Sequence, residues 1–185
     1  MRIIAGQWRG VPLATVGKGD PGAHLRPTPD RVRESLFSML THRDVINGAH
    51  VLDLFAGTGA LGFEALSRGA TSAVFVENGR VGQKLIAENI KKLKAEDQAT
   101  LKRADATRGS TWDGPKFDLI FLDPPYGKGM GEKALSAIRD RCAPDAMIVW
   151  EENAAQTAPD GFTLLETRRF GSTHVTLLEP KPTQS

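Results

Sequence analysis

Five apolar runs of strand length recur between Val51 and Glu151, and helical stretches separate most of them. The runs cover residues 51–55, 73–77, 100–103, 117–123 and 146–151. Leu61, Ala65 and Leu66 open one intervening helix, which Gly69 can end at its C′ position. Val81, Leu85, Ile86, Ile90 and Leu93 mark a second helix, and Ala134, Leu135, Ile138 and Cys142 a third. A strand, a helix and a further strand make a parallel crossover unit. Their repetition predicts an α/β fold with a mostly parallel sheet covered by helices on both faces. Residues 163–170 and 173–179 flank Gly171-Ser172, a two-residue turn signal, so the sheet of seven strands closes with an antiparallel hairpin. In such sheets ligands bind at the carboxyl ends of the strands, where the strand order reverses. Asp53, Glu77, Asp105 and Asp123 all fall at or near those ends. Four acids on one rim suit a ligand rich in donors and positive charge.

The fourth run ends in Asp123-Pro124-Pro125-Tyr126. Pro124 biases Asp123 towards an extended backbone, and neither proline has an N–H to continue a ladder. The corner therefore offers only acceptors, the Asp123 carboxylate and the Pro124 carbonyl, followed by the flat ring of Tyr126. A planar exocyclic amine has two N–H groups to give such acceptors and a ring to stack on tyrosine. This reads as a pocket for a base taken out of its stack. The plainer alternative is a strand ending in a proline turn.

Gly57-Thr58-Gly59-Ala60-Leu61-Gly62 follows the first run and fits G-x-G-x-x-G, with Glu77 twenty residues after Gly57. That spacing suits a dinucleotide or S-adenosylmethionine. Asp53, just ahead of the glycines, favours the second: it can hold an ammonium group, whereas it would repel a pyrophosphate. In this reading the glycines admit the ligand close to the backbone. Glu77 accepts from ribose hydroxyls, and Asp105 accepts from the adenine amine.

The first fifty residues carry seven Lys/Arg against four Asp/Glu, and residues 51–185 seventeen against eighteen. Residues 1–4 and 11–15 read as short strands around the glycine-bounded turn Gly6-Gln7-Trp8-Arg9-Gly10. Trp8 and Arg9 at its tip can stack on and neutralise a nucleic acid, or Trp8 can pack back on the body. A loop follows over residues 17–21. Thr28 can N-cap the next helix, with Pro29 at its first position, and Val32, Leu36, Met39 and Leu40 form its apolar face. Arg26, Arg31 and Arg33 near a helix start are unfavourable to the dipole, which points to a function for at least one of them. The expected organisation is an N-terminal basic hairpin and loop over 1–27, a catalytic domain over 28–180 and a tail over 181–185. No apolar run reaches the ~18–20 residues of a membrane span. The single cysteine and the absence of a signal-like apolar segment suit a reducing cytoplasm. One cysteine and four scattered histidines give no metal-ligand spacing.

Asp53-Leu54-Phe55-Ala56-Gly57-Thr58-Gly59 and Asp123-Pro124-Pro125-Tyr126 resemble the two signature motifs of class I S-adenosylmethionine-dependent methyltransferases acting on amines. Met1-Arg2-Ile3-Ile4-Ala5-Gly6-Gln7-Trp8-Arg9-Gly10, Arg26-Pro27-Thr28 and Asp30-Arg31-Val32-Arg33-Glu34-Ser35-Leu36-Phe37 are similar to the bacterial RsmD family, which methylates guanine N2 in 16S ribosomal RNA. The resemblance runs from Met1 to about Glu179. It implies a Rossmann-like class I methyltransferase fold with an N-terminal β-hairpin extension and S-adenosyl-L-methionine as cofactor. Its partner would be 16S rRNA within the small ribosomal subunit, met by a monomer. Asp123, Pro124 and Tyr126 would be catalytic. Asp53, Phe55, Gly57, Thr58, Gly59, Glu77, Asp105 and Ala106 would hold cofactor, and Trp8, Arg9 and Arg26 would hold RNA. The family usually has an acid at the position of Gly79, so a secondary contact near the ribose is in question. The residues alone leave other readings open: an adenine-N6 or protein-glutamine methyltransferase, an NAD oxidoreductase, or a non-enzymatic RNA-binding assembly factor.

Overall fold

A computed structural model describes residues 1–17, 25, 27–109 and 112–183 of the chain. Most of the loop expected at 17–21, the cation Arg26 and the end of the tail lie outside the described residues. Helix α1 (Asp30–His42) leads into β1 (His50–Leu54), α2 (Ala60–Ser67), β2 (Ser72–Val76), α3 (Arg80–Leu93) and β3 (Ala99–Lys102). After a loop come β4 (Phe117–Leu122), α4 (Met130–Ile138), a short 3-10 turn (Arg139–Arg141), β5 (Cys142–Glu152), β6 (Phe162–Phe170) and β7 (Thr173–Pro180). The seven strands form one sheet in the order β3-β2-β1-β4-β5-β7-β6. The first five are parallel, while β7 runs antiparallel to β5 and to β6. This is a doubly wound, Rossmann-like sheet closed by an antiparallel hairpin. The chain winds outward from β1 to β3, then returns to lay β4 on the other side of β1. The switch in strand order therefore lies between β1 and β4.

Alternation along the strands builds the two faces. Val51, Leu119, Phe121, Met147 and Val149 face one way and pack with Leu36, Phe37 and Leu40 of α1 and Phe63 of α2. Leu52, Leu54, Ile120, Leu122, Ile148 and Trp150 face the other way and pack with Ala134, Leu135 and Ile138 of α4. Burying both faces is why these parallel strands read as continuous apolar runs rather than as polar–apolar alternation. Among the described residues no helix is long and apolar enough to cross a membrane.

Helix α2 is buried on every side. A helix apolar all round needs cover on its outer face, and the N-terminal segment supplies it. Gln7 N–H donates to the Ser67 carbonyl (2.8 Å) and Trp8 N–H to Ser67 Oγ (3.0 Å). Gly6, at φ +87°, lies so close that a Cβ there would stand 1.9 Å from the Ser67 oxygen. The two strands expected over 1–4 and 11–15 shrink to a single antiparallel bridge, Arg2 with Pro12. The reason is a competing acceptor. Ile4 and Ala5 turn their N–H groups to the Glu64 carboxylate of α2 (2.9 and 3.1 Å) instead of extending the ladder.

One expectation for α1 needs correction, and one of the three arginines near its start has a structural explanation. Thr28 does not cap it. Pro29 holds the N-cap position, and the Thr28 hydroxyl donates to Glu151 Oε2 (3.3 Å) across the sheet rim. Arg33 is fully buried, donating to the Arg2 carbonyl (2.8 Å) and Asp30 Oδ1 (2.6 Å), with Glu64 at 3.6 Å. Its place near the helix start has a structural cause.

Candidate active site

β1 ends at Leu54, and Phe55 takes a left-handed backbone at φ +58°, unusual for a bulky residue. This bend starts the loop to α2. Gly57 and Gly59 follow at φ +58° and +79°, and a Cβ on Gly59 would sit 2.6 Å from the Phe63 ring. Gly62 packs against β2, where a Cβ would meet Phe75 at 2.4 Å. Ala or any larger residue is therefore excluded sterically at Gly59 and Gly62. Asp53 Oδ2 accepts the Gly62 N–H (2.9 Å) and so ties the first turn of α2 to β1. Glu77 braces the loop from the other side. Its Oε2 accepts from Gly57 N–H (2.8 Å) and its Oε1 from Gly79 N–H (2.7 Å). Gly79, the departure from the family pattern, thus contributes its backbone to holding Glu77. Thr58 is buried, and its carbonyl accepts from Asn89 (3.2 Å).

Asp105 lies past the end of β3, its Oδ1 accepting from the Thr107 N–H (2.9 Å) and hydroxyl (2.7 Å). Those two bonds hold its carboxyl below the usual range. Ala106 beside it is buried in the core facing α4.

Beyond β4, the Asp123 N–H reaches back to the Leu54 carbonyl (3.5 Å), which links the acceptor corner to the end of β1. Asp123 is half-buried, Pro124 is buried and Tyr126 is exposed at 37%. Burial pushes the Asp123 carboxyl well up, and the neighbouring Glu151 and Glu152 push it further. Asp53 is raised in the same way by burial, against the Gly62 N–H, with Asp123 and Glu77 adding to the rise. The Tyr126 hydroxyl is raised by burial and by Asp123, while a hydrogen bond with Thr173 at the start of β7 opposes the shift.

Register explains why these groups meet. Asp53 pairs with Phe75 on β2 and Phe121 on β4, and Phe121 pairs with Val149 on β5. Residues paired across parallel strands share a face. Glu77, Asp123 and Glu151 each stand two residues beyond those partners, so all four acids belong to the α1 side of the carboxyl rim. Asp105 follows β3, the edge strand on the far side of β2.

Glu151 and Glu152 are acids that the sequence reading passed over. The signal was present, since they end an apolar run as Asp53 and Asp123 do. Glu151 is 2% exposed, its Oε1 has no hydrogen-bond partner among the described residues, and burial pushes its carboxyl up to about 7. Glu152 points to the opposite face. Burial raises its carboxyl, and N–H groups of Asn153 and Gly127 oppose the rise.

Trp8 and Arg9 are not part of this cluster. The hairpin tip lies against Ser67, the last residue of α2, about 12 Å along that helix from the glycine loop. Trp8 is half-buried against the core and Arg9 is exposed. Arg26 lies outside the described residues.

Residues 1–179 match a protein-family model described as conserved hypothetical protein 95. The chain is 40% identical over 169 residues to ribosomal RNA small subunit methyltransferase D of Escherichia coli K12, covering 89% of this chain and 82% of that protein. It is 35% identical over 182 residues to the protein of the same name in Haemophilus influenzae, covering 92% and 89%. The solved yhhF chain of Escherichia coli superposes with a TM-score of 0.82 at 35% identity over 99% of both chains.

Proposed function

Because the chain belongs to the RsmD family of ribosomal RNA small subunit methyltransferases, we propose that its carboxyl rim methylates the exocyclic N2 amine of a guanosine in 16S ribosomal RNA. One observation carries this reading. The acceptor-only corner at Asp123 and the glycine loop after Asp53 stand on adjacent strands, with an exposed tyrosine ring beside them. An amine donor and a cofactor held at these two places are neighbours across the strand switch.

The residues fit S-adenosylmethionine. The positive φ of Gly57 and Gly59 bends the loop tightly over the end of β1, and the surrounding charge is acidic, which suits a cationic ligand. Asp53, Phe55, Gly57, Thr58 and Gly59 line its approach, Glu77 has lone pairs left for ribose hydroxyls, and Asp105 with Ala106 serves the adenine. When bound, the cofactor supplies an electrophilic methyl group. The chain's own residues do the rest. The Asp123 carboxylate and the Pro124 carbonyl accept the two N2 hydrogens and fix the direction of the nitrogen lone pair. The Tyr126 ring stacks on the extruded base. Positioning and fixed acceptors are the main catalytic terms. Asp123, made more basic by burial and by its acidic neighbours, takes the proton that the nitrogen releases.

Residues 1–27 are the RNA-contacting extension; Trp8 and Arg9 meet the ribosomal RNA away from the target base, and Arg26 is a further RNA-binding residue. Phosphate contacts of this kind set register rather than read sequence. The substrate is the small ribosomal subunit and the enzyme acts as a cytoplasmic monomer. Replacing Asp123 with Ala tests the reading. Turnover on small subunits should fall by about three orders of magnitude while S-adenosylmethionine affinity stays within about twofold. Normal turnover at saturating cofactor would sink the role given to Asp123.

A further inference from the structure

We infer that Glu151 completes a binding site for an alkylammonium group, and that it holds the amino group of the cofactor's amino-acid arm together with Asp53. The inference deepens the function proposed above and rests on it. Its basis is a carboxylate whose burial the fold does not otherwise account for. Glu151 is 2% exposed; Thr28 satisfies Oε2 at 3.3 Å, and Oε1 meets no donor among the described residues. A buried charged oxygen without a partner is costly, so its retention calls for a ligand that supplies the donor.

Geometry says which kind. Glu151 pairs with Val175 of β7, whose side chain lies in the core facing α1 and α2, so the glutamate points to the face that carries Asp53 and Asp123. Asp53 adds to the rise of Glu151, Glu151 to that of Asp123, and Asp123 to that of Asp53. Three carboxylates on adjacent strands β1, β4 and β5 thus repel one another until a cation enters. A metal ion does not answer the description, because among the described residues no three acids converge closely enough to ligate one. Adjacent strands are about 4.8 Å apart, and two residues along a strand span about 6.6 Å, so the acids are spread over a molecular rather than an atomic distance. A primary ammonium on a flexible arm has three donors to spread over them. Asp53 has committed one oxygen to Gly62, whereas Glu151 Oε1, like Glu152 Oε2 of the next residue, is buried without a partner among the described residues.

The test is calorimetric binding of S-adenosylhomocysteine and of 5′-methylthioadenosine, which lacks the amino-acid arm, to the wild type, Glu151→Gln and Glu151→Asp. Glutamine keeps the shape and removes the charge. S-adenosylhomocysteine should bind about tenfold more weakly to E151Q, with E151D in between, while 5′-methylthioadenosine binds all three alike. Tighter binding of S-adenosylhomocysteine to E151Q would mean that Glu151 faces the arm's carboxylate and would overturn the inference. So would a proportional loss for both ligands, or no change for either. Failure of the wild type to bind either compound would instead overturn the cofactor itself.

Discussion

Two buried glutamates on the α1 side of the sheet show opposite solutions to one problem. Glu64 in α2 is 0% exposed, and both of its oxygens are used. Oε2 accepts the Ile4 N–H and stands 3.6 Å from Arg33; Oε1 accepts the Ala5 N–H and Arg68 Nε (2.9 Å). Its charge is neutralised by two arginines, and its purpose is to fasten the N-terminal segment and α1 onto α2. Glu151 at the end of β5 is almost as deeply buried, yet it stands among carboxylates, and one oxygen has no partner among the described residues. The fold meets the needs of the first and leaves the second to a ligand. Burial of an acid is thus uninformative alone. What separates scaffold from site is whether the protein itself completes the acid's bonds.

Breaking the completed centre should have the largest effect. Glu64→Ala deprives Arg33 of its buried counter-charge and frees two backbone N–H groups, a loss of about 3–5 kcal/mol. In a domain of this size that lowers the melting temperature by roughly 10 °C, read by circular dichroism, while turnover at 20 °C stays within about twofold of wild type. The incomplete centre should respond with the opposite sign. The Glu151 carboxyl lies at about 7 in the fold against an ordinary value near 4.5. Its raised value means that the fold favours the protonated form. The associated stability is fully present below the unfolded value and is lost as pH rises through about 7. E151Q should therefore be more stable than wild type at pH 8, by on the order of 3 kcal/mol, with the difference closing towards pH 4.5. Melting curves of ligand-free protein across that range measure it. A wild type that stays ahead at every pH would show Glu151 to be another scaffold acid.

Tyr126 and Arg9 extend the comparison to RNA. Tyr126→Ala should lower kcat/KM for small subunits by about 10- to 100-fold, the worth of one base stack, and leave cofactor affinity unchanged. Arg9→Ala, at the far end of α2, should raise KM for subunits about threefold at low salt with kcat unaltered, and the effect should shrink as salt increases.

Much of this was legible in the sequence because it depends on local pattern. The alternation of runs gave the parallel sheet, Gly171-Ser172 the hairpin, and the acids after strands the rim. What escaped depends on contacts between distant segments. Thr28 looked like a helix cap, since a hydroxyl before Pro29 and Asp30 suits one, but its partner Glu151 is 123 residues away. Arg33 looked misplaced on dipole grounds, because nothing nearby in sequence reveals Glu64. The N-terminal arm looked like two strands, and its backbone instead serves a carboxylate sixty residues on. Glu151 escaped for a different reason: it sits on the same rim by the same rule as Asp53 and Asp123, but no motif draws the eye to it.

The identity of the methylated nucleoside distinguishes guanine N2 from every other acceptor most directly. Small subunits from cells lacking this protein would be incubated with it and radiolabelled S-adenosylmethionine, and the RNA digested to nucleosides. Label on N2-methylguanosine is the expected result. Label on N6-methyladenosine would keep the acceptor corner and contradict the guanine assignment; no label in subunits or in naked RNA would contradict the enzyme proposed here.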